Sequence, residues 1–395
     1  MHHIIEVLKK NLILINFMIQ RFLQFLKAKI SFSKPQKREI LFFDKTGYSN
    51  LVSILKLKES QISCCCNRLE EFNLYIFFKI LLRRKISYKS YLVEFINLTN
   101  PKLVITYIDN NLFFYKLKKK FPRIKFLSIQ NGYRFLNDEM LTTLNKRNSS
   151  KNFYSSDFYF VFNVQMKKIM EKYIDTECIV SGSLRNNHFK MDYSNNLLNG
   201  NIGFISRFTP AILKSLEKKD EKNPNFIVHN FSSKLICNVA KYCKKNNKKL
   251  MILTTQPHLL EKEKKYYSQV LGSYNFDYLY KKGEYDSYSN LYKVDLLISP
   301  SSTLGSEALG RNLKVLTFSD DKILGSNFGW PFIHELEGIF FSNNYKYENV
   351  EKKIDQIYNL SDEKWKKLLA DYSDYTCFVD EDNQILKNKI DEILK

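Results

Sequence analysis

Beyond Lys34-Pro35 the chain alternates short apolar runs with polar or helical stretches, and most runs close on turn-forming residues. Runs of that length ended by Asp, Asn or Gly read as buried strands. Residues 39–43, 103–108 and 124–129 are of this kind. Residues 111–121 read as a helix with a basic end, Lys118-Lys119-Lys120, so a β-α-β unit is predicted there. Residues 158–162 and 178–180 continue the alternation, the latter running into Ser181-Gly182-Ser183-Leu184-Arg185. The polar stretch 190–201, with Ser194-Asn195-Asn196 and Asn199-Gly200-Asn201, predicts a hinge. A second series follows, with strands at 202–206, 249–254, 277–280, 294–298 and 314–318 and helices at 232–246 and 261–271. Alternation on both sides of a hinge predicts an α/β fold of two Rossmann-like domains facing a central cleft. The expected layout is a basic amphipathic segment at 1–35, a first domain at 36–189, the hinge at 190–201, a second domain at 202–365, and a helical segment at 366–395 packing back on the first domain.

The segment ISPSSTLGSEALGRNLKVL, residues 298–316, passes from strand end through a small-hydroxyl loop into a helix and the next strand. Ser301, Ser302, Thr303 and Gly305 ahead of Glu307 place backbone N–H groups and hydroxyls where a helix start holds an anion. A phosphate is the expected occupant, at the carboxyl end of parallel strands where open α/β sheets bind ligands. The plainer alternative is an ordinary capped helix.

Charge narrows the partners. The 395 residues carry a net charge of +21, and residues 1–130 hold 24 basic against 8 acidic side chains. Such a field favours phospholipid headgroups, a pyrophosphate-linked lipid or nucleic acid. No nucleic-acid reader motif or zinc pattern accompanies it, so nucleic acid is not an expected partner. The seven cysteines, three of them adjacent at Cys64-Cys65-Cys66, form neither a paired CxxC pattern nor a secreted disulfide framework, which fits a reducing compartment. Neither a signal peptide nor a membrane-spanning run is expected. Residues 4–30 mix Leu, Ile, Phe and Met with Lys9, Lys10, Arg21, Lys27 and Lys29, the composition of a helix lying on a membrane surface or of a packing helix of the first domain. A cytoplasmic protein, peripheral on the inner face of the membrane, is the expectation.

Four motifs carry a resemblance: Thr255-Gln256-Pro257-His258, Gly283-Glu284-Tyr285-Asp286-Ser287-Tyr288, Ser301 to Gly310, and Phe328-Gly329-Trp330-Pro331. Together they resemble the bacterial surface carbohydrate biosynthesis proteins, a group similar to GT-B glycosyltransferases, including those that use CMP-activated Kdo and sialic acids. The likeness covers about residues 100–360. It implies a nucleotide sugar, CMP-linked by preference, held by the second domain, and a glycan or lipid-linked glycan acceptor held by the first. It also implies that His258 and the pair Ser301-Ser302 approach the donor phosphate, although the family order is His-Pro and this chain has Pro-His. Gln130-Asn131-Gly132-Tyr133-Arg134 resembles the family's first-domain loop, where Gly132 permits close approach and Arg134 binds an anionic sugar carboxylate or phosphate.

Departure of a phosphate requires a site that stabilises growing negative charge, which N–H groups, hydroxyls and a histidinium supply. Asp320-Asp321 is a lone carboxylate pair, so neither a metal nor another cofactor is expected. Glu307 is placed to meet ribose hydroxyls, and Ser306 and Glu284 complete the expected donor set. Asp109 and Asp44 both follow apolar strands and are the candidate bases for an acceptor hydroxyl; His258 is the third catalytic candidate. Arg185 and Arg207 flank the hinge and are expected to reach into the cleft as acceptor- or sugar-binding residues. Three functions remain open: a GT-B glycosyltransferase building surface polysaccharide or glycolipid, a CDP-glycerol or CDP-ribitol type polyol-phosphate transferase, and a non-catalytic assembly subunit on the membrane.

Overall fold

The computed structural model describes residues 27–66, 70–134, 139–146, 153–190, 200–218, 221, 223–254, 256–320 and 337–395. Most of the amino-terminal amphipathic stretch, hinge residues 191–199, Thr255, Asp321 and the Phe328-Gly329-Trp330-Pro331 motif lie outside the described residues.

Fourteen strands are described: β1 (Lys29–Ser31), β2 (Ile40–Phe42), β3 (Ile62–Cys64), β4 (Glu71–Asn73), β5 (Leu103–Thr106), β6 (Lys125–Ile129), β7 (Ser155–Val161), β8 (Asp175–Val180), β9 (Asn201–Ile205), β10 (Lys249–Leu253), β11 (Phe276–Leu279), β12 (Leu296–Ser299), β13 (Val315–Phe318) and β14 (Phe341–Ser342). They form two six-stranded sheets, ordered β3-β2-β5-β6-β7-β8 and β11-β10-β9-β12-β13-β14, and a small β1-β4 pair. Every pairing within the large sheets is parallel. The protein is therefore α/β, with two Rossmann-like domains of the GT-B kind.

Parallel sheets need cover on both faces, and the side chains divide accordingly. In the first domain Leu41, Val104, Phe126 and Tyr159 point to one core, while Ile40, Phe42, Ile105, Leu127 and Phe160 point to another. Leu386 and Ile390 of the helix Gln384–Leu394 enter the second of these cores, so the carboxyl-terminal helix packs on the first domain. The segment leading to it pairs Phe378 N–H with the Phe162 carbonyl, a backbone hydrogen bond back to the first domain.

Several boundaries differ from the sequence reading. The helix expected at 232–246 spans Pro224–Lys245, because Asn223 accepts from Asn225 N–H and Pro224 occupies the first turn, where its missing N–H costs nothing. Residues 48–102, given no element above, hold β3 and β4 and three helices, Tyr48–Leu55, Leu74–Leu82 and Tyr88–Thr99.

Strand order fixes where ligands gather. In the first sheet the chain lays β3 on one side of β2, and in the second it lays β10 and then β11 on one side of β9, before crossing to the other side, which opens a crevice at the carboxyl ends of two adjacent strands. In the first sheet these are β2 and β5, which lead into Asp44 and Asp109. In the second they are β9 and β12, which lead into Arg207 and Ser301-Ser302.

Candidate active site between the two domains

At the second crevice the backbone of Ser301 is left-handed, with φ of 57°, and its hydroxyl donates to the Phe318 carbonyl at 3.1 Å. Ser302 caps the helix Thr303–Gly310 by accepting from Leu304 N–H at 3.3 Å. Thr303 Oγ1 accepts the Tyr133 N–H of the opposing domain at 3.1 Å. Most of the polar groups expected to await an anion are therefore engaged within the protein, since a helix start satisfies its own donors and acceptors wherever neighbours permit. The Thr303 N–H has no acceptor among the described residues, and the buried Ser306 hydroxyl has no partner there. A side chain on Gly305 would run into the Ser299 hydroxyl, so glycine is what lets this helix sit down on the end of β12. Arg207 donates to the Ser301 carbonyl at 3.4 Å, which places it on the second domain beside the serines.

The first crevice holds a different arrangement. Asp109 is wholly buried, and its two oxygens take the Arg134 guanidinium in bidentate fashion, the Tyr159 hydroxyl at 2.6 Å and the Asn131 N–H at 3.2 Å. Arg134 also donates to Asn131 Oδ1 at 2.8 Å. Expected as a free base and a free anion receptor, these two residues instead neutralise one another, because an unpaired charge at that depth is far costlier than a paired one. Gln130 is equally committed, donating to the Gly132 carbonyl at 2.9 Å and accepting from Phe162 N–H at 2.8 Å. Together they set the shape of the loop that brings Gly132 and Tyr133 to Thr303. Asp44 is buried and accepts from Thr106 Oγ1 at 2.6 Å.

Between the domains lies Glu307, 5% exposed. Its Oε1 accepts from Ser183 Oγ of the first domain at 2.5 Å and from Tyr288 OH at 3.2 Å. Burial pushes the Glu307 carboxyl above its ordinary range, against the pull of those hydroxyls and of the Arg185 and Arg311 charges. Arg185 donates to Tyr107 OH at 3.4 Å, and Lys281 is held below its usual value by burial and by the Arg185 charge. Arg311 reaches across to Asn186 and to the Phe189 carbonyl. Ser183, Tyr288, Lys281 and Arg311 were not singled out from sequence. Ser183 and Tyr288 stand inside loops quoted above, but a single chain shows no sign that residues 124 positions apart share a hydrogen bond.

Two donor candidates stand apart. Glu284 is exposed and accepts from Asn50 of the first domain. His258 is exposed on the short turn Pro257–Leu259 and has no hydrogen bond or ion pair among the described residues. It follows β10, two strands from β12, so about 10 Å separates their ends at the usual strand spacing. Asp320 accepts from Tyr345 OH at 3.0 Å.

Two parallel-sheet domains whose crevices face one another, bridged by a carboxylate and ringed by cations, define a protein of the GT-B fold. The chain belongs to the family described as "putative O-antigen biosynthesis protein", whose model matches residues 127–393, and so to surface carbohydrate biosynthesis. No curated protein matches it in sequence. Among solved structures it is similar to MnaA of S. aureus determined with UDP, at 13% identity and a TM-score of 0.55 over 91% of this chain and 97% of that one. It is also similar to the UDP-GlcNAc 2-epimerase of Methanocaldococcus jannaschii in complex with UDP-GlcNAc and UDP, at 13% identity and 0.51 over 91% and 99%. The wall teichoic acid polymerase TagF is similar at 12% identity and 0.51 over 98% and 95%. At such identities the likeness is one of fold. No described helix is long and apolar enough to cross a membrane.

Proposed function

We propose that the protein is a glycosyltransferase that moves a sugar from a nucleotide-activated donor to a surface polysaccharide or glycolipid precursor at the inner face of the membrane. A CMP-linked acidic sugar such as Kdo or a nonulosonic acid is the favoured donor. The observation that carries this reading is Glu307, a buried carboxylate between the domains whose hydrogen-bond donors among the described residues are two hydroxyls. Ribose hydroxyls donate hydrogen bonds as those of Ser183 and Tyr288 do, and in this reading they replace them when the nucleoside enters. The phosphate then lies against the Thr303 N–H, with Arg207 and Lys281 supplying positive charge as the leaving group departs. Arg185 faces the sugar from the first domain. Of the two candidate bases the reading favours Asp44, since Asp109 would first have to leave Arg134. The MnaA and epimerase neighbours were determined with UDP or UDP-GlcNAc, which makes a uridine donor the nearest competitor within this reading.

Thermal-shift measurements against CMP, CDP, UDP and GDP test it. A ligand at a hundredfold excess over its Kd stabilises by about 2.7 kcal/mol, a rise of roughly 5 °C or more in a domain of this size. CMP should give that rise, and Ser302→Ala combined with Glu307→Ala should abolish it. If no nucleotide shifts the melt, the non-catalytic assembly role takes precedence. Conversion of UDP-GlcNAc to its C2 epimer without any acceptor would replace transfer with epimerisation. A polyol-phosphate transferase remains the second reading, favoured by the TagF fold likeness over nearly the whole chain. Phosphorus retained in the product identifies it.

A further inference from the structure

The helix Leu74–Leu82 is apolar on both of its faces. Ile76 and Ile80 are buried in the first domain, as the i, i+4 spacing requires. On the opposite face Phe78 is 53% and Leu82 85% exposed, and in the turn beyond the helix Ile86 is 62% exposed. Single exposed apolar residues are ordinary, but Phe78 and Leu82 on successive turns of one helix, followed closely along the chain by Ile86, form an apolar surface that calls for a partner. The surrounding charge says which kind. Residues 74–93 hold five basic side chains and no acidic one. Lys79 and Arg83 pair with Glu94. Arg84, Lys85 and Lys89 are exposed, and none of them has an ion pair among the described residues. An apolar face rimmed by exposed cations is the pattern of a surface that enters the interface of an anionic bilayer.

Its place in the fold is also informative. The next helix, Tyr88–Thr99, connects through 100–102 to the start of β5, so it runs antiparallel to that strand. Its amino-terminal end, and the patch just before it, consequently lie toward the carboxyl edge of the first sheet, the edge that carries Asp44 and Asp109.

We infer that the Phe78, Leu82 and Ile86 face with Arg84, Lys85 and Lys89 is a docking surface for an anionic phospholipid bilayer, which brings the opening of the first domain to the membrane plane. The inference deepens the acceptor side of the proposed function, since a lipid-linked acceptor would reach the cleft from that plane. The test contains no nucleotide, so its failure leaves the donor-site reading standing.

The full chain is sedimented with vesicles of phosphatidylglycerol and phosphatidylcholine, and with vesicles of phosphatidylcholine alone. Binding should require phosphatidylglycerol and weaken as salt rises from 0.05 to about 0.5 M, where the Debye length shrinks to a few ångströms. Arg84→Glu with Lys85→Glu should reduce the vesicle-bound fraction by about tenfold or more. Leu82→Asp with Ile86→Asp should reduce it similarly while leaving the melting temperature unchanged, because both side chains face solvent. Unchanged binding in both double variants overturns the assignment. So does a large drop in melting temperature for Leu82→Asp with Ile86→Asp while binding persists, which would mean that this face is covered by another part of the chain. A dimer in solution that the same variant converts to monomer overturns it in favour of a second copy.

Discussion

Asp109 and Glu307 are both buried carboxylates at the inner edges of their domains, yet they are held in opposite ways. Asp109 faces a guanidinium in bidentate contact, a phenol and an amide, so every strong direction around it is filled. Glu307 faces two hydroxyls, one from each domain, with Arg185 and Arg311 acting from further off. An ion pair at depth is a structural commitment, because separating it leaves two uncompensated charges. Hydroxyl partners hold less tightly and are exchanged for another polyol at little net cost. Asp109 is thereby a structural centre, and the looser hold on Glu307 is what supports the ligand role proposed for it.

The largest test of this contrast is Arg134→Met, which leaves the Asp109 charge buried without its cation. Destabilisation of about 3–5 kcal/mol is expected in urea unfolding. A loss below about 1 kcal/mol would mean that Asp109 is not held by the pair and is available for chemistry. Next in size is Gly305→Ala, which pushes the helix carrying Glu307 off the end of β12. Overpacking of this kind costs about 1–3 kcal/mol, and nucleotide affinity should fall with it. If stability falls and affinity does not, Glu307 does not depend on that helix position and its ligand role is wrong.

Glu307→Gln is expected to have the smallest effect on stability and the most specific effect on binding. Because burial raises the folded carboxyl above its unfolded value, its favourable contribution is complete below the ordinary carboxylate range and is lost as pH rises through the raised value. The neutral amide removes that loss. The variant should therefore melt at or above the parent at pH 8, with the difference closing as pH falls toward 4. Nucleotide binding should weaken about tenfold, or 1.4 kcal/mol, through loss of charge-assisted hydrogen bonds. A variant that melts well below the parent at pH 8 would show Glu307 to be as structural as Asp109.

The layers of this protein are written in its local pattern. Strands β5, β6, β9, β10, β12 and β13 were legible because parallel strands covered on both faces must be written as unbroken apolar runs, and the loops that end them must turn. The helix start at Ser302 was legible because capping is a local property of adjacent residues. Helices Leu74–Leu82 and Tyr88–Thr99 were less so, since the first is apolar all round and hides its period. Tertiary structure alone decided which polar groups meet. Asp109 and Arg134 were both chosen from sequence, 25 residues apart, but their pairing was not foreseen. Ser183 reaches Glu307 from the other domain, Arg207 lies with the serines, and His258 stands in solvent. Local pattern records what each residue must do relative to water and to its neighbours along the chain. Partner choice between strand ends depends on strand order and on how two domains close, and those are set by the packing of the whole molecule.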